Sequence, residues 1–176
     1  MRDFVVRSAT PEDLPFLWEM LVVAAHAEDV EVVMQSPELS RYLEGWGRQG
    51  DLGFVAEEAS GEPVGAAWVR SFPVENPGYG FLDGETPELA IGVKEEFRSR
   101  GAGGALLDRL IREAAGRYPA VSLSVRKDNP AGRLYHRRGF RPFEGTETVN
   151  RAGGESLVMR LDLRQPDCVQ GTRAAK

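Results

Sequence analysis

The sequence predicts one α/β domain built on a mixed sheet of about seven strands with four helices, in the order βααββ then βαβαββ. Three observations lead there. Leu14, Leu17, Trp18, Leu21 and Val22 recur at the three- and four-residue spacing of one helix face, and Ala105, Leu106, Leu110 and Ile111 repeat that spacing later. Runs of β-formers at 52–59 and 63–72 flank Ser60 and Gly61, which reads as a hairpin. A strand at 88–93, a glycine turn, a helix at 101–115 and a strand at 120–125 then form a βαβ unit.

The first strand covers 4–8. Thr10 as N-cap, Pro11 at the first helical position and acidic Glu12 and Asp13 in the first turn start the first helix. Ser36 and Pro37 repeat that start signal for a second helix ending near Gly45. Residues 73–87 hold three prolines and three glycines, too irregular for a core element, yet Tyr79, Phe81 and Leu82 are too apolar for a free linker, so the segment reads as a packed functional loop. Asn129 and Pro130 open a short helix that Gly139 stops. Strands at 140–149 and 156–163 follow, joined by a turn around Gly153 and Gly154. The domain is expected to span 1–163, with a polar tail at 164–176.

The chain has 176 residues, 41% of them hydrophobic and 28% charged, which suits a globular domain able to bury a core. Its net charge of −5 argues against a nucleic acid as main partner, because such affinity leans on phosphate neutralisation by clustered Lys and Arg. A cationic acceptor fits that balance better. Cys168, the sole cysteine, lies in the polar tail and offers neither a disulfide framework nor a metal cluster, a usage that suits a reducing cytoplasm. The first residues carry an acid at Asp3 and no long apolar run, and no later segment approaches the 18 or so apolar residues that span a bilayer, so no membrane partner is expected. His26 and His136 have no ligand spacing and read as surface or locally bonded, so no metal is implied.

The sharpest chemical signal is the turn after the strand at 88–93. Glycines at 101, 103 and 104 precede a helix, whose first N–H groups lack internal partners and point outward at the positive end of its dipole. Glycines let a phosphate approach the backbone closely, and Arg98 and Arg100 add charge. Two nucleotide templates fail on spacing. A P-loop needs Gly-Lys-Ser/Thr after its glycines and no Lys follows here, while the dinucleotide fingerprint needs a small residue where Leu106 stands.

The segment RSRGAGGALL at 98–107 resembles the signature of the GCN5-related N-acetyltransferase (GNAT) family: Gln or Arg, two residues, Gly, one residue, then Gly or Ala. Arg98, Gly101 and Gly103 fill those places. SVRKDNPAGRLYHRRGFRP at 124–142 is similar to the family's second motif, with an Asn opening a short helix, a Tyr within it and Gly-Phe after it. The strict match covers roughly 88–142. The resemblance implies the acyl-CoA N-acyltransferase fold, in which the strands at 88–93 and 120–125 are parallel but splay apart, and acetyl-CoA as cosubstrate. It assigns backbone groups of Ile91, Gly92 and Val93 to the pantetheine arm, Arg98, Ser99, Arg100, Gly101, Ala102, Gly103 and Gly104 to the pyrophosphate, and Asn129 to the coenzyme. Asn129 also has a plain role as a helix cap.

Acetyl transfer to an amine needs a neutral nitrogen, a polarised thioester carbonyl and a proton for the departing sulfur. By the same resemblance Tyr135 is the candidate general acid, since a phenol with a pKa near 10 can donate to a developing thiolate. Glu88 stands close to where some family members carry the base, with Asp83 and Glu85 in the preceding loop as alternatives. The acceptor site falls in the early helices, the loop at 73–87 and the last strand pair. These hold Trp18, Met34, Tyr42, Trp46, Phe72, Tyr79 and Phe81 with acidic Glu28, Asp29, Glu31 and Asp83, a mixture suited to an amine cation or simply to core and solvated charge. Polyamine, aminoglycoside, amino acid, protein N-terminus and lysine all stay open as acceptors. Similar proteins commonly form a homodimer through the C-terminal strands. The competing reading is a non-catalytic acyl-CoA binding or sensing module.

Overall fold

The computed structural model describes residues 4–164. Its elements are β1 (Val5–Ser8), α1 (Leu14–Ala25), α2 (Val30–Gln35), α3 (Pro37–Ser40), β2 (Leu52–Glu57), β3 (Pro63–Arg70), β4 (Glu88–Val93), α4 (Ala102–Ala114), β5 (Ala120–Arg126), α5 (Ala131–Arg137), β6 (Arg141–Pro142), β7 (Thr148–Val149) and β8 (Glu155–Asp162), with single 3-10 turns at Pro11–Asp13 and Glu95–Phe97. The expected polar tail and Cys168 lie almost wholly outside the described residues.

The strands form one sheet in the order β1-β2-β3-β4-β5-β8-β6, with β7 also on β8. All neighbours are antiparallel except β4 and β5. Those two meet in parallel at a single register pair, Glu88 with Ser122, where the Ser122 N–H donates to the Pro87 carbonyl at 3.0 Å. Beyond that point they diverge. Each keeps its outer ladder, β4 to β3 and β5 to β8, so their facing edges open into a fork.

The two faces of the sheet are covered by different helices. Leu106, Leu107, Leu110 and Ala114 of α4 pack on Val69, Leu89, Val121 and Leu123, all buried. On the other face Leu17, Met20 and Leu21 of α1, with Val33, Leu39 and Leu43, cover Val55, Ala66, Trp68 and Ala90. Gly92 permits the closest approach, since a Cβ there would lie 2.4 Å from the Met20 carbonyl oxygen.

Three element assignments differ from expectation. Helix α2 is not signalled by the sequence, and the second helix proper is one turn long, followed by turns rather than helix as far as Gly45. Three β-branched residues, Val30, Val32 and Val33, disfavour a helix there. The Asp29 carboxylate overrides them by accepting the Val32 N–H at 2.9 Å, and Val33 is wholly buried. The expected strand 140–149 is broken into β6 and β7. The chain leaves the ladder after Pro142, and Gly145 takes a left-handed φ of 77°. Thr146 Oγ1 then replaces a backbone partner, accepting the Val158 N–H at 3.0 Å while donating to the Phe143 carbonyl at 2.6 Å. Among the described residues there are eight strands and five α-helices, in place of seven and four.

Candidate active site

The fork between β4 and β5 is the floor of one long cleft of about 1580 Å³. Single drug-sized ligands occupy roughly 300–1,000 Å³, so there is room for two substrates in line. Strand alternation says which backbone groups face it. The Lys94 N–H turns to β3, donating to the Val64 carbonyl at 2.8 Å, and the Pro87 carbonyl turns to β5. The β3–β4 ladder has no bulge between these points, so Ile91 and Val93 present their N–H and C=O groups to the cleft and Gly92 presents its own to β3.

At one end the chain leaves β4 through the turn Glu95–Phe97 and reaches α4 by way of Ser99 at φ 59° and Gly101 at φ 97°, a left-handed pair that suits glycine at the second position. The first bond of the helix ladder runs from the Ala105 N–H to the Gly101 carbonyl at 3.0 Å, which leaves the preceding amides facing outward. Arg98, Ser99, Gly101, Gly103 and Gly104 line the cleft there. Ala102 is packed in the core, and the Arg100 guanidinium lies 5.5 Å from the Phe97 ring centre. Asn129 lines the cleft as well, and its Oδ1 accepts the Ala131 N–H at 2.9 Å, so its capping role is present. Arg126, Arg133, Arg137 and Arg138 also border the cleft, and Arg138 is tied to Asp108 at 2.8 Å. His26 lines the cleft too, while His136 is bonded locally to Arg141.

Tyr135, on α5, lines the same cleft. It is 7% exposed and packs edge-on to Phe140 with ring centres 6.0 Å apart. Its hydroxyl has no hydrogen-bond partner among the described residues, and burial pushes its pKa up to about 12. The phenol therefore stays protonated and available to donate.

Glu88, at the head of β4, stands at the fork point and lines the cleft too. It is 3% exposed, and burial raises its pKa to about 7, opposed by the bonds it accepts from Tyr42 and Gly80 and by the charge of Arg41. Oε1 accepts the Tyr42 hydroxyl at 2.5 Å and the Gly80 N–H at 2.8 Å. Oε2 is buried with no partner among the described residues, and a Cβ on Gly78 would lie 2.0 Å from it. Gly80 is wedged at the divergence of the strands: its carbonyl accepts Ser122 Oγ at 2.7 Å, and a Cβ on it would lie 2.8 Å from the Leu123 carbonyl carbon. The two alternative carboxylates lie elsewhere. Asp83 caps the turn before β4, accepting the N–H groups of Glu85 and Thr86, and Glu85 is exposed outside the cleft.

Of the aromatic and acidic residues that the sequence offers for an acceptor, Tyr42 and Tyr79 line the cleft. Trp46, Phe72 and Phe81 pack in the core under α1, Trp18 on α1 itself is partly buried against that core, Met34 is exposed, and Asp29 serves as the cap of α2. The walls are completed by Ser124, Thr148, Val149, Asn150, Arg151 and Ser156. The polar role of Tyr42 escaped sequence reasoning, because its partner lies 46 residues away and no local spacing joins them. Among the described residues no group of three or more His, Cys, Asp or Glu is placed to hold a metal ion, and no helix is long and apolar enough to cross a membrane.

The model of the acetyltransferase (GNAT) family matches residues 17–140. No curated protein sequence matches. Among solved structures, the ribosomal-protein-alanine N-acetyltransferase of Brucella melitensis is 28% identical, with 90% of this chain and 99% of that chain covered and a TM-score of 0.67. An N-acetyltransferase of Staphylococcus aureus Mu50 is 26% identical, with 92% and 99% covered and a TM-score of 0.66. The yncA protein of Salmonella typhimurium, solved with its cofactor acetyl-CoA, shares the fold at 24% identity, with 93% and 96% covered and a TM-score of 0.70.

Proposed function

The chain belongs to the GNAT acetyltransferase family, and from that premise we propose that it transfers the acetyl group of acetyl-CoA to a primary amine of a small molecule or peptide by direct attack in a ternary complex. The observation that carries this reading is the presence, in the lining of one cleft, of a buried carboxylate with one unpartnered oxygen and a phenol with no partner among the described residues. A module that only bound or sensed acyl-CoA needs neither group. A cytoplasmic location, with no membrane or nucleic-acid partner and no metal, belongs to the same proposal, as does a homodimer through the C-terminal strands.

In this reading the outward amides from Gly101 to Gly104, with Arg98, Ser99 and Arg100, hold the pyrophosphate. Ile91 and Val93 bond the pantetheine amides from the open edge of β4, and Gly92 shapes that edge by letting α1 sit close. Ala102 anchors the turn in the core and Asn129 sets the start of α5 beside the coenzyme. The thioester then lies between Tyr135 and Glu88. Glu88 takes a proton from the incoming ammonium, directly or through water, so that nitrogen has a lone pair to attack with. As the new C–N bond forms and the C–S bond breaks, Tyr135 donates to the sulfur.

The test is acetyl-CoA with a panel of amines and a thiol-release readout, hydrolysis subtracted. Acceptor-dependent release supports the reading, and tight acetyl-CoA binding with no such release across a broad panel overturns it. Two variants resolve the roles. Tyr135→Phe is expected to keep acetyl-CoA affinity while lowering kcat roughly 10²- to 10⁴-fold, the usual size of a proton-transfer contribution. Glu88→Gln is expected to remove the acidic limb of the kcat profile near pH 7, and an unaltered limb rejects Glu88 as base.

A further inference from the structure

The buried carboxylate is held by a residue from outside the sheet. Tyr42 follows α3 and is 5% exposed, and its backbone is fixed from β3. Trp68 Nε1 donates to the Tyr42 carbonyl at 3.1 Å, and Arg70 donates to the carbonyls of Arg41 and Glu44 on either side of it, at 2.9 and 2.7 Å. Arg70 is itself locked by a bidentate pair with Asp51 at 3.0 and 2.7 Å, both side chains buried. With its main chain so fixed, the Tyr42 hydroxyl donates to Glu88 Oε1 at 2.5 Å and accepts the Tyr79 N–H at 2.8 Å. The second contact matters as much as the first. It joins the carboxylate to the loop 73–87, which crosses the fork and carries Gly78 against Oε2.

We infer that Tyr42 is a positioning residue for the acetyl transfer: its hydroxyl fixes Oε1 of Glu88 and ties the carboxylate to the acceptor loop. The inference rests on the reading of Glu88 as base. It follows from the donor count. A carboxylate has about four lone-pair sites, and here the two good donors both go to Oε1, while the Gly78 backbone covers Oε2 without offering it a hydrogen bond. A short O–H···O⁻ contact is the strong, charge-assisted kind, so it also favours the ionised form that a base must reach. Besides the Gly80 N–H, no other facing group among the described residues donates to Glu88. Arg70 stands opposite Glu88 across the β3–β4 ladder but is committed to Asp51, Arg41 acts on Glu88 through its charge alone and gives its own hydrogen bonds to the Pro37 and Pro77 carbonyls, Tyr79 contributes its backbone, and Ser122 bonds the Gly80 carbonyl.

The experiment has one arm that needs no acceptor and one that does. The chain labelled with ¹³C at the glutamate carboxyl is titrated by NMR, with Glu88 assigned by its loss in Glu88→Gln. In Tyr42→Phe the Glu88 midpoint is expected to rise by about one to two pH units, the size of one lost charge-assisted bond. Replacing Tyr42 with 3-fluorotyrosine, which keeps the ring and makes the hydroxyl a stronger donor, is expected to move it down. With an amine found in the panel above, the acidic limb of kcat should move in the same two directions, KM for acetyl-CoA should stay within about twofold, and Tyr42→Phe should cost nothing further in a Glu88→Gln background. Unmoved midpoints, or losses that simply multiply with Glu88→Gln, overturn the inference. Should Tyr42→Phe fold poorly, the midpoint of the fluorinated chain decides alone: a downward move supports the role and an unmoved midpoint overturns it. If instead Glu88→Gln leaves the limb unchanged, it is the base assignment that falls, and the role of Tyr42 in transfer falls with it.

Discussion

At the scale of single residues the site turns on how burial treats two acids. Tyr135 and Glu88 are both desolvated, and desolvation disfavours the charged form of each, so the phenol is kept as a donor while the carboxyl is poised near neutrality. For Glu88 this has a cost that stability measurements can read. Below about pH 4.5 the folded and unfolded chains both hold the proton, whereas between 4.5 and about 7 the unfolded chain releases it and the folded chain keeps it. Stability therefore falls as pH rises through that window, by roughly 3 kcal/mol for a shift of this size. Glu88→Gln removes the titration. Urea unfolding at pH 5 and pH 8 should show the variant gaining on the wild type at the higher pH, and a constant difference between the two pH values would contradict a buried, neutral-range carboxyl. Glu88 and Tyr135 are both visible as candidates in the sequence, because each stands at a fixed place in a short motif or at the head of a strand. The environment that distinguishes Glu88 from Asp83 and Glu85 is not, since it is made by Tyr42, Gly78 and Gly80 closing from three directions.

At the scale of elements the central pair depends on one close contact. Gly92 faces α1, and any side chain there meets the Met20 carbonyl, a backbone atom that cannot swing aside. Gly92→Ala is expected to destabilise the fold by about 1–3 kcal/mol, the usual range for overpacking, as a lowered urea midpoint. A neutral result would mean that α1 rides more loosely on β4 than its packing indicates. The elements that the sequence announces are those with strong local signals: the amphipathic α4, the hairpin β2–β3, and α1 with the Thr10, Pro11, Glu12 and Asp13 start ahead of it. Those it conceals are short and rest on single side chains. Helix α2 depends on Asp29 and the burial of Val33, and the break between β6 and β7 depends on the Thr146 hydroxyl standing in for a backbone group. Local propensity points the other way in α2, where tertiary contacts override it, whereas Pro142 and Gly145 are themselves strand-breaking signals inside the expected strand.

At the scale of the whole molecule, the chain is acidic overall yet gathers arginines along one cleft. Its net charge is −5, while Arg98, Arg126, Arg133, Arg137 and Arg138 border the cleft. Net charge argues only that nucleic acid is a poor partner; the distribution of charge, which composition cannot carry, favours a small polyanion there. The fork also makes a prediction that depends on the sheet as a unit. Ala90 and Gly92 direct their amides to β3 and are protected in the free protein, whereas Ile91 and Val93 direct theirs to the open edge. If the pantetheine arm completes the sheet where β4 and β5 part, adding acetyl-CoA should slow amide exchange at Ile91 and Val93 by about tenfold or more and change Ala90 and Gly92 far less. Residue-resolved hydrogen exchange with and without acetyl-CoA decides it. Uniform slowing of all four amides would signal general stabilisation by mass action rather than pairing along one edge. Unchanged exchange at Ile91 and Val93 with coenzyme bound would move the pantetheine away from β4 altogether.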